Sequence, residues 1–409
     1  MTTLDLDFVR SQFPAFAEPS LAGFAHFENA GGSFACGQVI TALNRFYRET
    51  RVQPYYAFAP SARAGAEMDR ARERMAAWLN VATDELHFGP STSQNTYVLA
   101  QAFRRHLQRG DEVIVTNQDH EANIGAWSRL QDDGIVVRTW QVDAAGELRV
   151  ADLAALLGKR TRVVAFTHCS NLVGTIHPVR EITELVHRAG ALAVADGVSF
   201  CPHGLPDVAA LGADIYLFSL YKVYGPHLGA MYVRAGLAAE LPSQAHFFKG
   251  DALAGRFTPA GPDHAQVAAV NGVVDYMEAV AARHGLAAQP VPVRAAAVRQ
   301  LFRDQETRLL QPLLDFLVSR DQVRLLGSVD AAARAPTVAF RVTGTASATI
   351  AARLAELGIG VGVGNFYAYR LLQALGIDTT DGLVRASFVH YTSPDDVARL
   401  IAALQPMLQ

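Results

Sequence analysis

Five short apolar runs follow one another through the middle of the chain, several of them separated by helix-like stretches. They are Glu112–Thr116, 135–137, 163–167, 192–195 and Ile215–Ser219, and most are rich in β-branched residues. None alternates apolar with polar, as a strand with one wet face would. Strands buried on both faces and separated by helical segments such as 180–188 predict a mainly parallel sheet covered on both sides by helices. Open sheets of this kind bind ligands beyond the carboxyl ends of their strands. The strand ends are therefore the places to look for chemistry.

An amphipathic helix is expected over 64–79, where Met68, Ala71, Met75, Trp78 and Leu79 recur at helical spacing. After a break at 288–294 come a long helix at about 295–320, strands at 337–341 and 383–387, a helix at 347–357 with Ser347 as its N-cap, and a last helix from Pro394. With 409 residues, two domains are the first expectation. We place a large domain at 21–288 and a small α+β domain at 289–409, joined by residues 1–20.

Charge narrows the function. Lys and Arg number 36 against 39 Asp and Glu, a net charge of −3 that lacks the basic excess of a nucleic-acid binder. Only 18% of residues are charged and 50% are hydrophobic, which favours an oligomer. Cys36, Cys169 and Cys201 are too few for a disulfide framework and have no zinc-ligand spacing. The stretch after Met1 has no basic-then-apolar leader, and no uncharged apolar run is long enough to span a membrane. A cytoplasmic α/β protein is expected.

Lys222 stands three residues after the strand that ends in Ser219. Burial lowers a lysine's pKa and frees its amine for Schiff-base chemistry, although a lone loop lysine is more often simply solvated. Asp196 ends another apolar run and is read either as a turn residue or as the partner of a protonated ring nitrogen. Together the two describe a pyridoxal phosphate site. Residues 89–96 are polar and turn-forming and open a helix-like run, so Ser91, Thr92 and Ser93 serve as ordinary caps or as an anion cradle. His120 and Asn171 lie in two further polar clusters, each following an apolar run.

Taken together, Ser-x-x-Lys-x-x-Gly-Pro at 219–226, Asp-His-x-x-Asn at 119–123, Ser-Asn-x-x-Gly-Thr at 170–175 and Asp-Gly at 196–197 resemble the class V aminotransferase superfamily on its cysteine desulfurase-like side. The resemblance runs from the Phe-Glu-Asn-Ala-Gly-Gly stretch at 27–32 to 385–387. It implies an α/β fold of fold-type I, with a mainly parallel, seven-stranded-type sheet in the large domain, and a homodimeric enzyme acting on a small α-amino acid.

The resemblance also implies roles. Lys222 carries pyridoxal phosphate as a Schiff base and moves protons, Asp196 faces the ring nitrogen, and His120 stacks on the ring. Asn171 bonds the ring hydroxyl, with Ser199 nearby, and Thr92, Ser93, Ser219 and Tyr221 hold the phosphate. Arg385 grips the substrate carboxylate, with Asn29 beside it. Tyr55, Tyr56, Asn365, Phe366, Tyr367 and Tyr369 are candidates for the side-chain pocket. Desulfurases that form a persulfide place a cysteine on a small-domain loop, but residues 358–370 contain none. Gly261 stands where relatives place a threonine that reaches the partner's phosphate. The expected activity is β-elimination at a C–S or similar bond, with transamination or epimerisation as the alternatives.

Overall fold

The five apolar runs form five strands of one seven-stranded sheet in the computed structural model, which describes residues 3–249 and 252–408; the other two strands, Leu86–Gly89 and Gly229–Val233, are not among those runs. The strands, in chain order, begin with β1 (Ala25–Phe27), β2 (Leu86–Gly89), β3 (Glu112–Thr116), β4 (Val136–Trp140), β5 (Thr161–Thr167) and β6 (Leu192–Asp196). They continue with β7 (Ile215–Ser219), β8 (Gly229–Val233), β9 (Val323–Leu325), β10 (Thr337–Val342), β11 (Ile359–Gly364) and β12 (Leu383–Ser387). The large sheet has the order β2-β8-β7-β6-β5-β3-β4, and only β8 runs against its neighbours.

Both faces of this sheet are covered, as the unbroken apolar runs require. Val163 and Ala165 of β5 pack with Val113, Leu99, Phe103 and Trp127. Val164 and Phe166 turn the other way, into a core with Ile114, Ile182 and Val186. The period-2 pleat thus sends successive residues of one strand into two separate cores.

The second sheet has five strands in the order β1-β11-β12-β10-β9, with β1 and β11 parallel and the rest antiparallel. Its core joins Phe27, Phe340 and Val384 to Leu310, Leu314 and Leu400. The helix Val291–Val318 serves both units, since Val298 and Phe302 lie in the larger core and Leu310, Leu313, Leu314 and Leu317 lie in the smaller one.

Several expected boundaries shift. Met1 and Thr2 lie outside the described residues, but Leu4, Val9 and Phe13, expected in the small unit, pack into the larger core. Ala25–Phe27, expected in the large unit, pairs instead with Ile359–Val361 of the small sheet. The break expected at 288–294 falls just after the helix His264–Arg283, because Pro290 and Pro292 start the next helix rather than interrupt one. Ser347 is the first helical residue and not the N-cap, which is Ala346. The N–H of Ser347 is satisfied by the Asp381 carboxylate at 2.9 Å, so the cap comes from across the chain. No helix among the described residues is long and apolar enough to cross a membrane.

Candidate active site

β7 is buried along its whole length and ends at Ser219. A single tight turn, Leu220–Lys222, then folds the chain back so that the lysine is 6% exposed. Tyr224 fixes this turn. It holds a left-handed φ of 61°, is fully buried, and its hydroxyl donates to the Pro202 carbonyl. Burial, with the Arg385 charge adding to it, lowers the Lys222 pKa to about 8, against the opposing pull of Asp196 and Glu28.

Asp196 closes β6 and faces the same cavity, about 290 Å³ in volume, as Lys222. One carboxylate oxygen accepts the Val198 N–H at 2.8 Å. Burial raises its pKa to about 6, while the Val198 bond and the Lys222 charge hold it down. Gly197 follows for a packing reason, since a Cβ there would lie 2.1 Å from the Tyr216 hydroxyl oxygen. The Asp-Gly pair is thus set by the strand beside it as well as by chemistry.

The helix Thr92–Arg104 starts at the floor of the cavity, capped by the Ser91 side chain on the Gln94 N–H. It begins earlier than the apolar run at 97–103 suggests, so Thr92 and Ser93 lie in its first turn. A Cβ at Gly229 would sit 2.5 Å from the Ser91 carbonyl carbon, so a glycine in β8 is what lets this helix end approach the sheet. The hydroxyls of Thr92 and Ser219 share a hydrogen bond of 2.7 Å. Helix starts can receive anions through their free N–H groups, and here two hydroxyls stand beside one.

His120 caps the helix Glu121–Ser128, and its Nδ1 accepts the Ala122 N–H at 3.0 Å. The ring proton therefore sits on Nε2. Burial, and then the charges of Lys222 and Arg385, lower its pKa to about 4, so the ring is neutral. Asn171, after β5, donates from Nδ2 to the Phe366 carbonyl at 2.9 Å, while its Oδ1 is buried without a partner. That orphaned acceptor beside the cavity suits a hydroxyl donor. Ser199 lines the cavity as well.

Eight of the ten expected site residues line this one cavity: Lys222, Asp196, His120, Asn171, Thr92, Ser93, Ser219 and Tyr221. Arg385 and Asn29 do not. Arg385, 3% exposed, lies in β12 and donates to the Asn171 carbonyl at 3.0 Å and to the Glu28 carboxylate. Its guanidinium carbon is 3.9 Å from the centre of the Phe366 ring. Asn29 is spent on structure, with Nδ2 on the His26 and Ser387 carbonyls and Oδ1 on the Tyr391 hydroxyl. Tyr55 and Tyr56 lie at the surface, each 59% exposed, with the Tyr55 hydroxyl on Asp69 at 2.9 Å. Tyr367 flanks His120, ring centres 4.9 Å apart, and walls an outer bowl that shares His120, Ser93 and Tyr221 with the cavity.

His227 also lines the cavity and stacks on Tyr221, with centres 4.9 Å apart and planes 6° from parallel. Nothing in the sequence singled it out except its place after Gly225-Pro226, the turn that returns the chain to the sheet. Glu28 was missed too, hidden inside the stretch 27–32. The three cysteines are free and buried, and burial raises the Cys36 and Cys169 thiols to about 12 and Cys201 further. Cys169 does border the cavity.

A model of the family "Aminotransferase class-V" matches residues 25–400. An aminotransferase-like protein of Gibberella zeae is 34% identical, over 100% of this chain and 99% of its own length. A cysteine desulfurase of Serratia proteamaculans is 30% identical over 97% of each chain. The apo structure of a cysteine desulfurase from Thermococcus onnurineus NA1 superposes with a TM-score of 0.86 at 22% identity, covering 100% of this chain and 99% of that one.

Proposed function

We propose, because the chain belongs to the class-V aminotransferase family and is a pyridoxal phosphate-dependent, cysteine desulfurase-like enzyme, that it is a lyase releasing the β-substituent of an α-amino acid without a persulfide on the protein. The observation that carries this reading is the contrast between one amine and three thiols. Lys222 meets Asp196 in a shared cavity with a lowered pKa, while every cysteine is buried with a raised one.

The residues fit the cofactor. Thr92, Ser93, Ser219 and Tyr221, on the helix start and the end of β7, would hold its phosphate. Asn171 Oδ1 would accept from its ring hydroxyl, His120 would cover its ring face, and Lys222 would hold its aldehyde carbon. Asp196 would face its nitrogen, and a cation there favours the ionised carboxylate. Once bound, the cofactor supplies an electron-withdrawing ring that stabilises negative charge on the substrate's α-carbon.

The chain's own groups do the rest. The neutral amine of Lys222 takes the α-proton. His120, neutral with its N–H on Nε2, would donate a hydrogen bond to a departing thiolate, and the proton itself would come from Lys222, which holds it after taking the α-proton. Arg385 orients the substrate through its α-carboxylate. We assign the exposed aromatic residues Tyr47, Tyr55, Tyr56 and Phe58, of which the Tyr56 and Phe58 rings stack with centres 6.0 Å apart, to a homodimer interface, and the enzyme to the cytoplasm.

Transamination is the second reading, favoured by the 34% identity to an aminotransferase-like protein. It shares removal of the α-proton and differs in where a proton returns. Incubation with a panel of amino acids, following pyruvate, ammonia, sulfide and pyridoxamine phosphate separately, tests both. Pyruvate, ammonia and sulfide in equal amounts from a β-thiol substrate support the lyase. Pyridoxamine phosphate without pyruvate overturns it in favour of the aminotransferase.

A further inference from the structure

We propose that Glu28 is an internal ligand of Arg385, which the α-carboxylate of the substrate must displace. The inference rests on the reading above that Arg385 grips this carboxylate. Arg385 is the cation the substrate needs, yet it does not open onto the cavity. One Nη donates to the Asn171 carbonyl at 3.0 Å, the other is taken by the Glu28 carboxylate, and Nε is buried with no partner. The ring of Phe366 lies over one face.

The seat for the Glu28 carboxylate is built. A Cβ at Gly31 would fall 1.9 Å from its Oε2, and one at Gly362 would fall 2.6 Å from its Oε1. Two glycines, one just past β1 and one in β11, therefore leave room for this carboxylate. A buried guanidinium without a counter-ion is costly, so a carboxylate is needed whenever no substrate is bound.

Exposure decides which partner moves. The Arg385 side chain is 4% exposed and the Glu28 side chain 29%. Glu28 can turn its carboxylate into water, whereas Arg385 is held by Asn171 and Phe366. Substrate binding is then an exchange of one carboxylate for another, with no change of charge on the guanidinium. Phe366 and Tyr367 flank the exchange with left-handed φ values of 53° and 58°, rare for aromatic residues, and Asn171 Nδ2 holds the Phe366 carbonyl. The apparent affinity for an α-carboxylate is reduced by the fraction of protein in which Glu28 is seated.

The test uses the holoenzyme and two probes followed by visible spectrum and calorimetry. Glycine has the α-carboxylate and no β-substituent to lose, and glycinamide lacks the carboxylate. Glu28→Gln and Glu28→Asp should both bind glycine about fivefold or more tightly than wild type, with glycinamide unchanged. The aspartate variant keeps the charge but is too short to stay on the guanidinium, so it separates lost competition from gained positive charge. It also carries the comparison if the glutamine variant does not fold. Glycine binding that is unchanged or weaker in the variants overturns the proposal. Equal binding of glycine and glycinamide by the wild type overturns the underlying role of Arg385, and this inference with it.

Discussion

The hydroxyl oxygens of Thr92 and Ser219 stand 2.7 Å apart, which ties the first turn of a helix to the last residue of β7. Three residues beyond Ser219 comes Lys222, so this contact links the proposed phosphate seat to the turn that carries the amine. Ser219→Ala removes a proposed phosphate donor and leaves the buried Thr92 hydroxyl without its partner. The dissociation constant for pyridoxal phosphate should rise about tenfold, the cost of a hydrogen bond to a charged group. Absorbance titration of the cofactor-free protein measures it.

Lys222 sets a pH dependence. Its pKa lies at about 8, lowered chiefly by burial, so the neutral amine gains population as pH rises through that value. Capture of pyridoxal phosphate by the cofactor-free protein should quicken with pH and level off above about 8, and borohydride should then fix the cofactor to Lys222. The folded pKa lies below the ordinary 10.5, so between these values the unfolded chain binds more protons than the fold. Stability of the cofactor-free protein from this group therefore rises across that window. A label on another lysine, or a rate flat in pH, contradicts the assignment.

Asp196→Ala should still fold and bind pyridoxal phosphate. Without a carboxylate opposite the ring nitrogen, turnover should fall by about a hundredfold or more. Steady-state kinetics at saturating cofactor check this, and wild-type turnover removes the electron-sink role.

Five strands of the large sheet were legible in the sequence because an unbroken apolar run such as 163–167, too short for a helix, fits little but a strand buried on both faces, whereas β2 and β8, which complete the sheet beyond β7, were not read as strands. Lys222 and Asp196 were legible because a strand end fixes where a side chain starts. Tertiary contacts were not. The seating of Glu28 on Arg385 joins residues from opposite ends of the chain, and no local pattern announces it. Asn29, flagged by its neighbours in sequence, proved to be tied to Ser387 and Tyr391. Tyr55 and Tyr56 stand exposed, and the sequence does not tell them apart from pocket residues because aromatic residues suit a pocket wall and a surface equally well.

Arg385→Lys should raise KM strongly, because an ammonium cannot make the paired hydrogen bonds of a guanidinium. It should also lower thermal stability, since the bonds to the Asn171 carbonyl and to Glu28 are disturbed together. Melting curves beside kinetics separate the two effects. Unchanged KM in a destabilised variant assigns Arg385 to structure alone.

Joint replacement of Cys36, Cys169 and Cys201 by Ala should leave kcat within about threefold, because buried thiols with raised pKa are packing groups rather than nucleophiles. Trapping a persulfide on any of them after incubation with cysteine would contradict this. Cys169, at the cavity edge, is the one to test first.

The parallel pairing of Ala25–Phe27 with Ile359–Val361 has a consequence for synthesis on the ribosome. The strand made first waits for a partner made near the end, while the larger sheet between them has every strand it needs much earlier. Glu28, one residue past that strand, meets Arg385 only when the last part of the chain has emerged. A nascent chain halted before β11 can therefore own Lys222 and Asp196 in a formed sheet and still lack the arginine's surroundings. Contacts this distant in sequence form slowly. Capacity to hold the cofactor should precede, during translation, capacity to select a carboxylate.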